Sequence, residues 1–166
     1  MNFSPHSKII IIGQAPGIKV HQTGVPWNDA SGDRLRDWMS VSKDEFYDTD
    51  LFGIVPMAFC YPGKGKSGDL PPRPECAELW MEKIFKNLTE RRLVLLIGQY
   101  SQNYFLDDPQ ENLTERVKNW KSYLPDYFVL PHPSPRNNIW LKKNKWFEKK
   151  TLPDLKKQIK KALELT

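Results

Sequence analysis

Cysteine and histidine are scarce in this sequence of 166 residues, which contains two cysteines and three histidines. Two cysteines are too few for the disulfide framework of a small secreted protein. They are also too few to form a four-ligand metal site by themselves, although histidines could join them. We therefore expect Cys60 and Cys76 to be reduced thiols, in a protein without a metal or other cofactor.

Long apolar runs are absent as well. The longest, Ile9–Ile12 and Leu93–Ile97, are far shorter than the ~18 residues of a membrane-spanning helix. The first eight residues, MNFSPHSK, lack the apolar segment of a secretory signal. Because ~100–200 residues per domain is usual, we expect residues 1–166 to form a single domain. We also expect the protein to be cytoplasmic and monomeric, without a membrane partner.

Positive charge is concentrated near the C-terminus. Residues 136–166 have ten Lys and Arg against three Asp and Glu, which gives +7, whereas residues 1–135 have 15 against 17, which gives −2. Such a segment indicates a surface that faces a polyanion. A lysine-rich helix that is simply well solvated has the same composition, so both interpretations stay open. Within this segment, Trp140 and Trp146 are expected to pack rather than to stack on bases.

Apolar runs and helical patterns alternate along the chain. Four continuous apolar runs predict buried parallel strands over Lys8–Gly13, Gly53–Phe59, Leu93–Gly98 and Tyr127–Leu130. Apolar residues at helical spacing predict helices over Gly32–Met39, Glu75–Lys86, Ser101–Phe105, Leu113–Tyr123 and a C-terminal segment capped by Thr151. Strands that alternate with helices indicate an α/β fold with a parallel sheet.

Each predicted strand is followed by an unusual loop. These loops are GQAPG from Gly13, CYPGKGKSG from Cys60, GQYSQ from Gly98 and HPSPRN from His132. In an open α/β sheet the ligand lies beyond the carboxyl ends of the strands, so the four loops are expected to meet at one edge. The longest irregular segment, Tyr61–Pro74, is expected to be a functional loop without secondary structure of its own.

The second loop does not form a nucleotide-binding P-loop. Its residues Gly65–Ser67 match the end of that motif, but the first glycine of the motif would fall on Cys60, and no helix follows. We therefore interpret only Lys64 and Lys66 functionally, as phosphate contacts.

The segment His132–Asn137 alternates two prolines with polar residues. The prolines make a rigid, extended tip that can press on a nucleic-acid backbone, while the Ser134 hydroxyl is suited to bond a phosphate. A catalytic triad with His132 is not favoured, because the flanking prolines fix the backbone rather than expose a nucleophile. A proline-rich turn with a capping histidine would have the same sequence, so a structural role stays open.

Two of these loops together resemble the active-site motifs of the uracil-DNA glycosylase superfamily. GQAPG at residues 13–17 and HPSP at residues 132–135 have the order and separation of those motifs, and both follow strands. Between them, GVPW at residues 24–27 with Gly32 resembles the G-x-P-F…G segment of the family-four enzymes. Cys60 and Cys76, with fifteen intervening residues, have the spacing of two of the four iron–sulfur ligands in that family.

The resemblance implies a three-layer αβα fold with a central four-stranded, mainly parallel sheet, and hydrolysis of the N-glycosidic bond of uracil in DNA. It implies that His132 donates a hydrogen bond to uracil O2 and that Trp27 stacks on the flipped base. The backbone from Gln14 through Ala15 to Gly17 would line the base pocket.

The same resemblance assigns the DNA contacts. Pro133, Ser134 and Pro135 would grip the phosphate backbone. Arg136, with Asn137 after it, would lie where the wedge side chain of the family enters the duplex.

The sequence departs from the family pattern in three places. Ala15 occupies the position of the water-positioning Asp of the first family, an Asp that family four also lacks. Pro56 occupies the position of the family-four Asn that reads uracil, so base reading falls to Asn28 or to the loop backbone. The N-terminal cysteine pair of the iron–sulfur cluster is absent.

The attacking water still needs a group to orient it. Asp29 is the first candidate and Asp33 the second, and both positions also fit caps at the start of the helix Gly32–Met39. The sequence therefore predicts a DNA repair glycosylase for uracil or another deaminated base. Ala15 and Pro56 favour an alternative, a nucleic-acid-binding protein of this fold without catalysis, and an enzyme of free nucleosides or nucleotides is a third possibility.

Overall fold

The computed structural model describes residues 1–108 and 112–164. Within them the chain forms the strands β1 (Ile9–Gly13), β2 (Phe52–Pro56), β3 (Lys64–Gly65), β4 (Gly68–Asp69), β5 (Leu93–Ile97) and β6 (Tyr127–Leu130). The α-helices are α1 (Ile18–Thr23), α2 (Ala30–Met39), α3 (Lys43–Tyr47), α4 (Pro74–Asn87), α5 (Gln99–Phe105), α6 (Leu113–Lys118), α7 (Asn138–Lys143) and α8 (Leu152–Glu164). Short 3₁₀ turns cover Trp120–Tyr123 and Pro135–Asn137, and a π-helical turn covers Phe147–Thr151.

Four of the strands form the central sheet, in the order β2-β1-β5-β6, and every neighbouring pair is parallel. All residues of β1 and β5 are buried, because helices cover both faces of the sheet. This is why those two runs are continuously apolar rather than alternating. The predicted three-layer α/β fold with a four-stranded parallel sheet is confirmed.

The remaining strands, β3 and β4, correct the prediction for the loop Tyr61–Pro74. They pair antiparallel and make a small hairpin, with Lys64 opposite Asp69 and Gly65 opposite Gly68. No apolar alternation marks strands this short, so periodicity could not predict them.

Three further predictions of element boundaries differ from the structure. β2 ends at Pro56 instead of Phe59, because proline has no N–H with which to continue the ladder. Thr151 is not a helix cap, since the π-helical turn runs through it directly into α8 and buries its side chain. The predicted helix Leu113–Tyr123 is divided at Asn119 into α6 and a 3₁₀ turn.

The basic C-terminal segment forms α7 and α8. The apolar side of α8 is buried through Leu155, Ile159 and Ala162, and the helix packs against α2 and β1. Trp140 and Trp146 make edge-to-face ring contacts with each other and with a buried phenylalanine, which confirms their predicted packing role. None of the described helices is both long and apolar enough to cross a membrane.

Candidate active site

A cavity of about 570 Å³ lies at the carboxyl ends of the parallel strands. It is lined by the chain from the end of β1 through α1 to the start of α2, by the end of β2 and by the loop after β6. Met1, Phe59 and one residue of the β3–β4 hairpin complete the wall. The predicted site residues on its wall are Gln14, Ala15, Gly17, Trp27, Asp29, His132, Ser134, Arg136 and Asn137. Segments that are far apart in the sequence therefore meet where the strand order predicts.

The other predicted site residues lie outside the cavity wall, and they are Asn28, Lys64, Lys66, Pro133 and Pro135. Pro133 is buried, so it has little surface for the predicted contact with a DNA backbone. Lys64 and Lys66 are exposed on the β3–β4 hairpin, beside the cavity rather than in it. Asn28 is half-buried next to the cavity residue Trp27.

Some wall residues were not predicted as site residues. The most notable is Asp69, a second carboxylate, which reaches the cavity because the β3–β4 hairpin folds over this edge. Its Oδ1 accepts a hydrogen bond of 3.3 Å from the Tyr61 hydroxyl. His21 of α1, which the sequence gave no reason to select, also lines the wall. The proline- and glycine-rich composition of the long loop was the available signal for Asp69.

The imidazole of His132 is held in one tautomer. Its Nδ1 lies 3.1 Å from the backbone N–H of Ser134 and accepts a hydrogen bond from it. In a neutral imidazole the proton therefore sits on Nε2, which becomes a donor. The His132 carbonyl accepts 2.7 Å from the Asn137 amide, and the Ser134 carbonyl accepts 3.3 Å from Arg34 of α2, so the loop is braced from two sides.

Burial keeps this imidazole neutral. It lowers the pKa of His132 to about 4, and the negative charge of Asp29 opposes the shift without cancelling it. The indole of Trp27 stacks on the ring, with centroids 5.5 Å apart and an interplanar angle of 28°. Near pH 7 His132 is therefore a neutral hydrogen-bond donor in a partly enclosed cavity.

This pKa has a consequence for stability. In the unfolded chain His132 titrates near 6.5. Between that pH and about 4, the imidazole is protonated in the unfolded state and neutral in the folded state. Stability is expected to fall as the pH drops from 6.5 toward 4, by about 3 kcal/mol from this residue. The measurement is urea unfolding of the wild type and of His132→Gln at pH 8 and pH 4. The variant should lose less stability than the wild type, and equal losses would contradict the buried, neutral state.

Trp27 reaches His132 because two glycines leave room for it. A Cβ on Gly13 would lie 3.0 Å from Cζ2 of the indole, so the bare end of β1 lets the ring lie against the strand. A Cβ on Gly32 would lie 1.8 Å from the Trp27 carbonyl oxygen, so any side chain there would force the backbone to move. The spacing between Trp27 and Gly32 in the sequence therefore has a steric cause.

Asp29 is a helix cap that also lies on the cavity wall. It lines the cavity, and its Oδ1 accepts a 2.9 Å hydrogen bond from the N–H of Gly32 as the N-cap of α2. Asp33, the second candidate, does not line the cavity and pairs with Arg36 at 2.7 Å. Of the two candidates, only Asp29 therefore has access to the cavity.

Arg136 closes one side of the cavity. It lies within the 3₁₀ turn Pro135–Asn137, and its Nη1 donates a 2.6 Å hydrogen bond to the carbonyl of Ser67 at the tip of the β3–β4 hairpin. Its backbone N–H donates to the Ser134 hydroxyl at 3.3 Å. A cation that lines the cavity at the exposed rim is well placed to meet a phosphate.

The residues do not fit an iron–sulfur cluster. Cys60 is exposed and Cys76 is half-buried, and both are free thiols. Within residues 1–108 and 112–164, no three His, Cys, Asp or Glu side chains group in a way that could hold a metal ion. A cluster of this type takes four cysteine ligands, so no chemistry at this site is assigned to one.

Comparison with known proteins identifies the family of this chain. The family model described as the uracil DNA glycosylase superfamily matches residues 1–156. Among solved structures, wild-type SMUG2 from Pedobacter heparinus is similar, with 14% sequence identity and a TM-score of 0.41 over 95% of this chain and 73% of that one. Since the family model spans all but the last ten residues and includes every wall residue of the cavity, the protein belongs to the uracil-DNA glycosylase superfamily.

Proposed function

We propose that the protein removes uracil, or another deaminated base, from DNA by hydrolysis of the N-glycosidic bond. The observation that carries this proposal is the state of His132 on the cavity wall, where its imidazole stacks on Trp27 and burial lowers its pKa. Its Nδ1 accepts a hydrogen bond from Ser134, so the Nε2–H of the neutral ring is the group that can donate to a ligand. Enzymes of the superfamily are glycosylases, and a donor of this kind suits the departure of a base as an anion.

The base must first leave the duplex, which costs a few kcal/mol. Stacking on an aromatic ring returns about 1–3 kcal/mol per base, and Trp27 is the aromatic side chain of the wall best placed for it. Because the imidazole of His132 already lies against the indole, a base does not insert between the two rings. It would lie on the remaining indole surface with one edge beside His132.

Bond cleavage then leaves the electron pair of the C1′–N bond on the base and positive charge on the sugar. His132 Nε2–H would donate to the base oxygen where negative charge develops, an interaction worth about 2.7–4 kcal/mol at a preorganised site. A water molecule oriented by Asp29 would add to C1′, and its proton would leave through the carboxylate toward the base. Asp29 is suited to this role because it lines the cavity and acts electrostatically on His132.

Base reading is assigned to the loop after β1. Pro56 at the end of β2 offers no donor, and Asn28 lies outside the cavity wall, so neither provides the missing amide. Gln14 lines the cavity and carries both a donor and an acceptor. Within the superfamily we place the protein nearest the family-four enzymes on the segment from Gly24 to Gly32, without their cluster.

DNA is the proposed partner, held by groups around the cavity. Arg136 and the Ser134 hydroxyl lie on the rim, and Lys64 and Lys66 project from the adjacent hairpin. Contacts of this type fix the register of the phosphate backbone and give salt-dependent binding.

The decisive experiment is a panel of single- and double-stranded oligonucleotides with one uracil, hypoxanthine, xanthine or unmodified base. We expect alkali-labile abasic sites with uracil or another deaminated base, and none with the unmodified strand. Wild-type protein that binds these oligonucleotides yet releases no base would refute the enzyme and favour the nucleic-acid-binding alternative, which Ala15 and Pro56 support. Turnover of free nucleosides that ignores added DNA would favour the third possibility.

A further inference from the structure

Trp27 has a backbone conformation that aromatic residues rarely adopt. Its φ is +58°, in the left-handed region. Such a conformation persists only where surrounding contacts hold it. The contacts that hold Trp27 are therefore part of what places its indole.

One of these contacts comes from a buried arginine. Arg36 of α2 is 7% exposed, and its Nη1 donates a 3.2 Å hydrogen bond to the Trp27 carbonyl. Its Nη2 pairs with Asp33 at 2.7 Å, and its guanidinium lies 5.0 Å from the ring centre of Phe46. Burial of a charged side chain is unfavourable unless hydrogen bonds satisfy it, so this guanidinium has a fixed position.

A second contact holds the preceding peptide. The Tyr47 hydroxyl donates a 2.7 Å hydrogen bond to the carbonyl of Pro26, and the ring centre of Tyr47 lies 5.8 Å from the Arg36 guanidinium. Two successive carbonyls, those of Pro26 and Trp27, thus each accept a hydrogen bond from a side chain of α2 or α3.

We propose that Arg36 and Tyr47 are positioning residues, which hold the Pro26–Trp27 backbone so that the indole stays against Gly13 and the imidazole of His132. Neither side chain lines the cavity, so neither touches a ligand there. Their effect on base release depends on the proposed function, whereas their effect on the two rings does not.

The placement of the indole determines how strongly His132 is shielded from water. The residues with charged or titratable groups that share the cavity wall with His132 are Asp29, Asp69, His21, Arg136 and Met1, the last through its α-amino group. None of these changes when Arg36 or Tyr47 is replaced by a side chain of the same charge. A rise in the pKa of His132 in such a variant therefore reports a displaced indole.

The test uses Arg36→Lys and Tyr47→Phe, which preserve charge, with Arg116→Lys as the matched control. Arg116 is similarly buried, at 5% exposure, and donates to Asn103 and Asp108, but it does not line the cavity or contact Trp27. The imidazole of His132 is titrated by NMR from pH 3 to 8 without DNA, and its signal is assigned with His132→Gln.

In the wild type the midpoint is expected near 4. In Arg36→Lys and Tyr47→Phe it should rise by about one pH unit or more toward 6.5, whereas Arg116→Lys should lower the melting temperature and leave the midpoint in place. A shift in one variant alone would restrict the role to that residue. Unchanged midpoints in both would overturn the proposal, and if Arg36→Lys does not fold, Tyr47→Phe decides.

A parallel assay with uracil-containing DNA separates this proposal from the proposed function. If wild type releases no base but the midpoints still shift, the positioning role stands and the glycosylase activity fails. If base release is observed, both variants should show lower kcat/KM than Arg116→Lys.

Discussion

Replacement of His132 with alanine is expected to lower kcat for uracil release by about 10²–10³-fold, because it removes the donor at the oxygen where charge develops. The imidazole is suited to that role in three respects. Its Nδ1 is occupied by Ser134, burial keeps it neutral, and the surrounding loop is braced by Asn137 and Arg34. The measurement is single-turnover cleavage of a uracil-containing duplex at saturating protein.

The control for this variant is His6→Ala. His6 lies at the surface, where its Nδ1 pairs with Glu90 at 2.7 Å, and it does not line the cavity. The His6→Ala variant should therefore leave the rate of uracil release unchanged. Affinity for DNA should also change little in His132→Ala, since the rim groups that contact phosphates remain. A variant that keeps more than about a tenth of the wild-type rate would contradict the assigned role of His132.

The second large effect is expected for Trp27→Ala. Loss of about 1–3 kcal/mol of stacking should lower kcat/KM for base release by about 5- to 150-fold. Removal of the indole also exposes the imidazole beneath it, so the pKa of His132 should rise toward its ordinary value. Trp27→Phe keeps an aromatic surface and should recover most of the activity.

Trp80→Ala is the matched control for the loss of a tryptophan. Trp80 is 49% exposed on α4 and lies outside the cavity wall. If Trp27→Ala and Trp80→Ala cleave uracil-containing DNA equally well, Trp27 is a packing residue and the flipped base lies elsewhere.

Several features of the fold follow from local sequence. The run Ile9–Ile12 is apolar at every position, as expected of a strand covered on both faces, and β1 is buried throughout. The last strand begins and ends where the sequence predicts, at Tyr127 and Leu130. Because parallel strands place their carboxyl ends at one edge, the loops that begin at Gly13 and His132 lie at the same edge of the sheet.

Other features depend on contacts between distant residues. Asp69 reaches the cavity only because the β3–β4 hairpin folds over the sheet edge. Each strand of this hairpin has two residues, which is too short for a periodic signature. The left-handed backbone of Trp27 is held by Arg36 and Tyr47, which come from two different helices. Nothing at position 36 distinguishes a buried arginine from an exposed one until α2 and α3 pack.

The sequence by itself therefore determined the layers, the parallel sheet and the presence of the loops after β1 and β6 at the cavity, because the pattern of apolar residues along each strand is a local property. The predicted loop from Gly98 does not line the cavity. The tertiary structure alone decided the lowered pKa of His132, the stacking of Trp27 on it, and the position of Asp29 rather than Asp33 on the cavity wall. These depend on solvent exclusion and on hydrogen bonds between side chains far apart in the chain. Neither exists before the elements pack.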